Sequence, residues 1–271
     1  MSDQQRKADL FRGLHDPGNP LRMPNAWDRG SAKLFASLGS LALATTSGGH
    51  AATLGRLDGT ASREEALAHA ASVVEAVDLP VSADLENCFG DSPEDVALTI
   101  AGAVAAGLAG CSVEDSSRDG DDPIYDAGLA TERVAAAAEA AHGATRLVLT
   151  ARAENFLHGK PDLPDTIRRL QAYQEAGADV LFAPGLITVA DIAQVVSSLD
   201  RPVSVLALPG GPSVAQLAGA GVARVSVGSG FAYVAFGAAA DAAAELLGEG
   251  TTSYFELAGR GRAALRAAFT D

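Results

Sequence analysis

Two acids separated by one apolar residue, Asp84-Leu85-Glu86, end the apolar run from Val81, and a third, Glu114, follows the next run, Gly110 to Val113. Residues two apart on an extended chain face the same side, so Asp84 and Glu86 should share a face, with Glu114 at the end of the adjacent strand. Three carboxylates at one mouth repel one another and raise each other's pKa unless a cation joins them. A donor set of oxygen alone suits Mg2+ or Mn2+ better than zinc. The same spacing also fits solvated loop acids in an acid-rich chain. Ser47-Gly48-Gly49 supplies a hydroxyl and two unhindered amides, the means to hold a carboxylate or phosphonate oxygen, though a simple turn has the same composition. Arg152 ends the run LVLTAR, where its guanidinium should emerge beside the acids. There it could grip a substrate carboxylate through two parallel bonds or pair with Glu154 or Glu114. Cys88 and His50 read as a small buried residue and a solvated loop histidine, without a catalytic part. Replacing Asp84 or Arg152 by alanine is expected to abolish activity with the fold intact.

Elements of a definite kind must position these groups. Eight short apolar runs, Leu21 to Ala26, Leu41 to Thr46, Val81 to Leu85, Gly110 to Val113, Leu147 to Ala151, Val180 to Ala183, Val203 to Leu208 and Val225 to Val227, alternate with segments of helix length. Helices are predicted over 62–77, 92–106, 131–141, 164–176, 188–199 and 213–218. Ser62 followed by Glu65 makes a capping box, and Ser92-Pro93-Glu94-Asp95 a capped start. Eight βα units predict a single (β/α)8 TIM-type barrel over residues 1–271, with an N-terminal helix and extra C-terminal helices. No GxGxxG turn follows the first run, which argues against an open dinucleotide-binding sheet. In a barrel, function gathers at the strand ends that enter the βα loops, which is where the acids, Ser47 and Arg152 fall. Two long segments after the last strand, 232–248 and 253–269, exceed what closure needs and suit packing on a second subunit.

Composition narrows the partners. With 34 acidic against 20 basic residues, a net charge of −14, the surface should repel polyanions, so nucleic acid is not an expected partner. The N-terminus lacks the apolar core of a secretion signal, and the apolar stretch 231–248 is interrupted by Asp241 and Glu245, so no membrane partner is expected. Two cysteines without CxxC spacing indicate neither a disulfide framework nor structural zinc, and a cytoplasmic location fits.

The order of the motifs resembles the isocitrate lyase and phosphoenolpyruvate mutase superfamily, in particular its mutase-like branch, over nearly the whole chain. The residues that carry the resemblance are Pro24-Asn25-Ala26-Trp27-Asp28, Thr46-Ser47-Gly48-Gly49, Leu54 to Gly59, Ala83 to Gly90, Ser112 to Asp115, Thr150-Ala151-Arg152, Phe182 to Leu186 and Gly221 to Gly228. The resemblance implies a Mg2+-dependent enzyme that cleaves or forms a carbon-carbon or carbon-phosphorus bond next to the carbonyl of a small 2-oxo acid, through an enolpyruvate-like intermediate. It places Asp84 nearest the metal, with Asp58, Glu86 and Glu114 as direct or water-mediated holders. Ser47, the amides of Gly48 and Gly49, Arg152 and Trp27 fall on the substrate, and Asp58, Ser47 and Arg152 on the chemistry. A dimer or tetramer formed by exchange of the last barrel helix is also implied.

Departures narrow the activity. Isocitrate and methylisocitrate lyases carry a Lys-Lys/Arg-Cys-Gly-His loop after the fourth strand, whose Cys serves as acid or base. Here Ser116 to Asp126 has no Cys, His or Lys. Phosphonate-handling members place Lys, Asn and Ser there, whereas this loop offers Arg118 among acids at 115, 119, 121, 122 and 126, a composition that also suits a mobile cover or a solvated tether. The expected activity is therefore a carbon-carbon lyase acting on a small 2-oxo or 2-hydroxy dicarboxylate such as oxaloacetate. A carbon-phosphorus enzyme and a non-catalytic oxo-acid-binding barrel are the alternatives.

Overall fold

Proline has no N–H to give a sheet, and Pro24 divides the first apolar run into Leu21–Met23 (β1) and Asn25–Ala26 (β2). The computed structural model describes residues 1–117, 120, 123–143 and 145–269. The remaining strands are Leu43–Thr45 (β3), Val81–Asp84 (β4), Gly110–Glu114 (β5), Val148–Arg152 (β6), Val180–Phe182 (β7), Val203–Leu206 (β8) and Arg224–Ser226 (β9). Every pairing is parallel. β2 pairs with β3 and β1 with β9, so the two halves of the split strand close the sheet from opposite sides. The carbonyl of Pro24 still accepts from the Ala44 amide, and Asn25 bridges the joint, donating from Nδ2 to the Thr45 carbonyl and accepting from the amides of Val227 and Gly228. The result is a (β/α)8 barrel with each predicted apolar run in its wall.

The helices are Asp3–Gly13 (α1), Arg29–Ser37 (α2), Ser47–Thr53 (α3), Arg63–Ala76 (α4), Pro93–Ala105 (α5), Ala127–Ala141 (α6), Leu163–Glu175 (α7), Val189–Ser197 (α8), Val214–Gly219 (α9), Gly230–Gly248 (α10) and Phe255–Ala268 (α11). Ser62 and Ser92 cap α4 and α5 through reciprocal bonds with Glu65 and Asp95. Two helices differ from the predicted set. Asp28 starts α2 with a capping box closed by Ser31, a serine where the usual signature has Glu or Gln. Thr46 caps α3, so Ser47-Gly48-Gly49 is the first turn of a helix and not a simple turn. The core lies between sheet and helices, with Leu85, Ile100, Leu149, Leu181 and Ile192 among its fully buried residues.

α10 has the length and apolar composition of a membrane span, yet Ala232 is its one buried residue. Its start is tied to the barrel, with Phe231 against Phe35 at 5.7 Å between ring centroids. Beyond that, Tyr233, Val234, Phe236 and Leu247 are exposed. Exposed apolar faces of this kind are uncommon on monomeric proteins.

At the other end of the barrel the α1 connection brings in His15, whose Nδ1 lies 2.8 Å from the Phe11 carbonyl and Nε2 3.1 Å from Arg224 Nη1. A carbonyl can only accept and a guanidinium only donate, so this ring is neutral, with its proton on Nδ1. Burial, with Arg224 beside it, lowers its pKa from 6.5 to about 3. The unfolded chain therefore binds a proton that the fold refuses, and His15 withdraws stability as pH falls below 6.5. Burial raises Glu154, which has the opposite sign, so the difference between proteins isolates the effect. Between pH 7 and 5, His15→Gln should lose about 2 kcal/mol less unfolding free energy than the native chain. Equal losses in urea titrations at the two pH values would overturn this.

Candidate active site

A cavity of about 570 Å³ opens where the strands end, and Ser47, Asp58, Asp84, Glu114, Arg152, Glu154 and His158 are among the residues that line it. Register explains the grouping. Asp84 pairs with Ser112 and Glu114 with Arg152, so β4, β5 and β6 deliver their last residues to one rim.

Arg152 is the centre of this rim. Its Nη1 lies 3.0 Å from Glu114 Oε1 and 3.2 Å from Asp84 Oδ1, its Nε donates to Glu154 Oε1 at 2.7 Å, and its guanidinium stands 5.1 Å from the Phe182 ring centroid. Burial would favour loss of its proton, but the charges of Glu114, Glu154 and Asp84 outweigh that and raise its pKa further. Both ion pairs read from the sequence, to Glu154 and to Glu114, are therefore made together, and Asp84 adds a third.

Ser47 faces Asp84 across the mouth. Its hydroxyl donates to Asp84 Oδ2 at 3.2 Å and its amide points to the same oxygen at 3.4 Å. Gly48 and Gly49 make a close approach possible. A Cβ at Gly48 would lie 2.7 Å from Ser229 Oγ and 3.2 Å from Asp58 Cγ, and one at Gly49 2.6 Å from Thr46 Cγ2 and 2.9 Å from Trp27 Cβ. Neither glycine lines the cavity, and the Gly49 amide donates to its own cap, Thr46 Oγ1. Trp27 also sits outside it, packed edge-on against Phe35 with its carbonyl at 3.0 Å from His69 Nε2. The chain turns into α2 directly after it.

Glu86 lies beyond the strand. The strand ends at Asp84, and Glu86, Cys88 and Phe89 adopt φ values of 53°, 63° and 60°. The extended chain on which alternation would set the two on one face ends at Asp84, and Glu86 is buried outside the cavity lining. Arg133 of α6 holds this turn, donating to the carbonyls of Asn87 at 2.5 Å and of Gly90 and Asp91 at 2.7 Å, beneath the Tyr125 ring. Cys88 is fully buried and its thiol is pushed up to about 12, which keeps it inert. His50 stacks on His69 at 4.0 Å away from the cavity.

Asp115, first of the acids in the loop read as a mobile cover or a tether, is neither. It is buried, accepts from Tyr173 Oη at 2.6 Å and the Glu154 amide at 2.8 Å, and pairs with Arg169 at 3.2 Å. Residues 118, 119, 121 and 122 of that loop lie outside the described residues.

The chemistry of the donors tests the implied cation. Among the described residues no three His, Cys, Asp or Glu side chains converge as a ready-made shell, since Arg152 stands between Asp84, Glu114 and Glu154. Mg2+, however, keeps several waters and needs one or two carboxylates. Among the described residues at the mouth, Asp58, Asp84, Glu114 and Glu154 outnumber Arg152 and supply oxygen donors that fit a hard divalent ion.

Residues 11–247 match the sequence profile of the phosphoenolpyruvate phosphomutase family. The chain belongs to this family. It is 47% identical to a Burkholderia cenocepacia J2315 protein with a provisional lyase/mutase label, over 99% of this chain and 98% of that one, with a TM-score of 0.94. An uncharacterized protein of Mycobacterium tuberculosis (strain ATCC 25618 / H37Rv) is 32% identical over 81% of both chains. The 2-methylisocitrate lyase of Escherichia coli (strain K12) is 28% identical over 70% of this chain and 69% of its own. The family thus sits within the isocitrate lyase and phosphoenolpyruvate mutase superfamily.

Within the family frame, several cavity residues carry no signal of their own in the sequence. His158, six positions beyond Arg152, lies 3.0 Å through Nε2 from Ser116 Oγ. Ser229 exchanges a 2.7 Å hydrogen bond with Thr46 Oγ1, tying the start of α10 to the start of α3. A polar residue just beyond a strand end was the available clue for both.

Proposed function

We propose that this chain is a Mg2+-dependent lyase that cleaves a carbon-carbon bond beside the carbonyl of a small 2-oxo or 2-hydroxy dicarboxylate, oxaloacetate being the simplest. The observation that carries this reading is the acid surplus opposed by Arg152 at the strand ends, the arrangement that a divalent cation and an oxyanion together would balance. Asp84 would hold the ion, helped by Asp58 and Glu114, and Glu86 could reach it through water. When bound, the ion supplies Lewis acidity at the substrate carbonyl.

The chain's own residues do the rest. Ser47 Oγ and the Arg152 guanidinium hold the carboxylate next to the carbonyl. As the carbon-carbon bond breaks, its electron pair passes into an enolate, and Arg152, stacked over the Phe182 ring, faces that charge. The departing fragment or the enolate needs a proton. His158 stands at the same mouth with its Nε2 engaged by Ser116 Oγ, so the transfer is assigned to its imidazole ring. His158→Gln should lower turnover about 100-fold with oxalate affinity unchanged, and unaltered turnover would remove His158 from the reaction.

The family profile favours carbon-phosphorus chemistry as the second reading. Incubation of the protein with oxaloacetate and related acids, with Mg2+ and with chelator, should release product in the first case alone. Phosphorus NMR of phosphoenolpyruvate and phosphonopyruvate mixtures separates the second reading, and tight oxalate binding without any turnover would leave a binding barrel.

We also infer that α10 is the helix exchanged between subunits, which the exposed Tyr233, Val234 and Phe236 support. Val234→Asp with Phe236→Asp should convert a dimer or tetramer into monomers in light scattering, and an unchanged mass would refute the assignment.

A further inference from the structure

Inward positions of (β/α)8 barrels are usually filled by bulky branched side chains. Here the cavity runs below its rim past Ala44, Ser82, Ser112 and Ser226, small residues that leave the barrel axis open, and reaches Arg224. Ser82 and Ser112 precede Asp84 and Glu114 by two positions, which puts them one inward-facing layer deeper.

Arg224 is 3% exposed. Its Nε donates to Ser204 Oγ at 2.9 Å, its Nη1 to His15 Nε2 at 3.1 Å and its Nη2 to Thr150 Oγ1 at 3.1 Å. All three partners are neutral, and among the described residues no carboxylate pairs with it. A guanidinium carries five N–H groups, so these bonds leave donor capacity unused. Burial and the nearby charge of Arg152 lower its pKa to about 9, which leaves it cationic at neutral pH. A buried charge without a counter-charge is costly. The two arginines of the cavity thus differ: Arg152 is paired with three carboxylates through Nε and Nη1, and Arg224, among the described residues, with none.

We propose that Arg224 anchors a second anion subsite at the inner end of the cavity, one that takes a single carboxylate group. One cation among hydroxyls suits a monoanion, whereas a phosphate dianion would bring two charges to one. Thr150, which bonds Arg224, precedes Arg152 on β6 by two residues, so the two levels are about 7 Å apart, a span that a short dicarboxylate can bridge. Two sources share this chemistry. The first is the far carboxylate of the dicarboxylic substrate, which rests on the lyase reading above. The second is a separate small monocarboxylate, which does not.

The test is equilibrium binding to the intact protein in Mg2+, with oxalate reporting the rim and succinate, glutarate and acetate the inner subsite. Arg224→Gln should weaken the best inner ligand at least 10-fold and leave oxalate affinity unchanged, with Arg224→Lys intermediate. A dicarboxylate that competes with oxalate identifies the substrate as the source, and acetate that binds alongside oxalate identifies the separate anion. Bromide soaked into native crystals should give anomalous density beside the guanidinium. Should Arg224→Gln fail to fold, the bromide density and Arg224→Lys decide. No anomalous peak, or inner ligands bound equally by native and variant protein, would overturn the proposal. Absence of lyase turnover would overturn the lyase reading and leave these binding results standing.

Discussion

Asp84→Asn should lower turnover about 10³-fold while the melting temperature stays within a few degrees of the native value. Asp84 touches both sides of the mouth, accepting from Ser47 through Oδ2 and pairing with Arg152 through Oδ1, so it sets the distance between the two groups assigned to the substrate carboxylate. It is also the carboxylate assigned nearest the metal. The amide side chain keeps size and hydrogen bonding and loses the charge, so packing is unaffected and Arg152 still has Glu114 and Glu154. Arg152→Ala, by contrast, leaves three acids around a hole, two of them buried, and should cost stability as well as activity. The Asn variant is therefore the cleaner probe. Turnover within a few-fold of native, with oxalate affinity and its Mg2+ dependence preserved, would remove Asp84 from the centre of the site.

What the sequence disclosed and what it concealed divide along the range of the interactions. Local signals were legible: Ser62 with Glu65 and Ser92 with Asp95 cap helices as their spacing predicts, and the eight apolar runs are the wall of the barrel. Groups at strand ends were legible too, since Asp84, Glu114 and Arg152 need nothing beyond the rule that βα loops carry function. For Glu86 the alternation rule had no purchase, because it holds within a strand and the strand stops at Asp84. Asp115 looked like a solvated acid because its partners, Arg169 and Tyr173, lie more than fifty residues away on α7. Arg152 likewise seemed separable from the fold until three carboxylates from three strand ends were seen to share it. Arg224 stands just before the run Val225 to Val227, which reads as an ordinary strand, and its isolation from acids among the described residues is a property of the closed barrel alone.

The three left-handed residues of the 86–89 turn lead to the second large effect. Each such conformation in a residue with a Cβ costs roughly 1–2 kcal/mol, so the turn persists because its surroundings hold it. Arg133 is that hold: its guanidinium is buried, stacks at 4.4 Å from the Tyr125 ring centroid and satisfies the carbonyls of Asn87, Gly90 and Asp91. Tyr125 in turn donates to Asp91 Oδ1 at 2.6 Å, so turn, ring and cation form one unit. Arg133→Met keeps much of the apolar stem but orphans three carbonyls, and should cost about 3 kcal/mol of stability. Because the Glu114 amide donates to the Glu86 carbonyl, the relaxed turn would also shift the end of β5 and with it the rim acids. Turnover should fall about 100-fold, the scale of a displacement near 1 Å, although Arg133 touches no substrate. Faster hydrogen exchange at the Cys88 and Glu114 amides, with exchange in β7 and β8 unchanged, would distinguish this positioning effect from general loosening. A variant as stable and as active as the native chain would show that the turn holds itself.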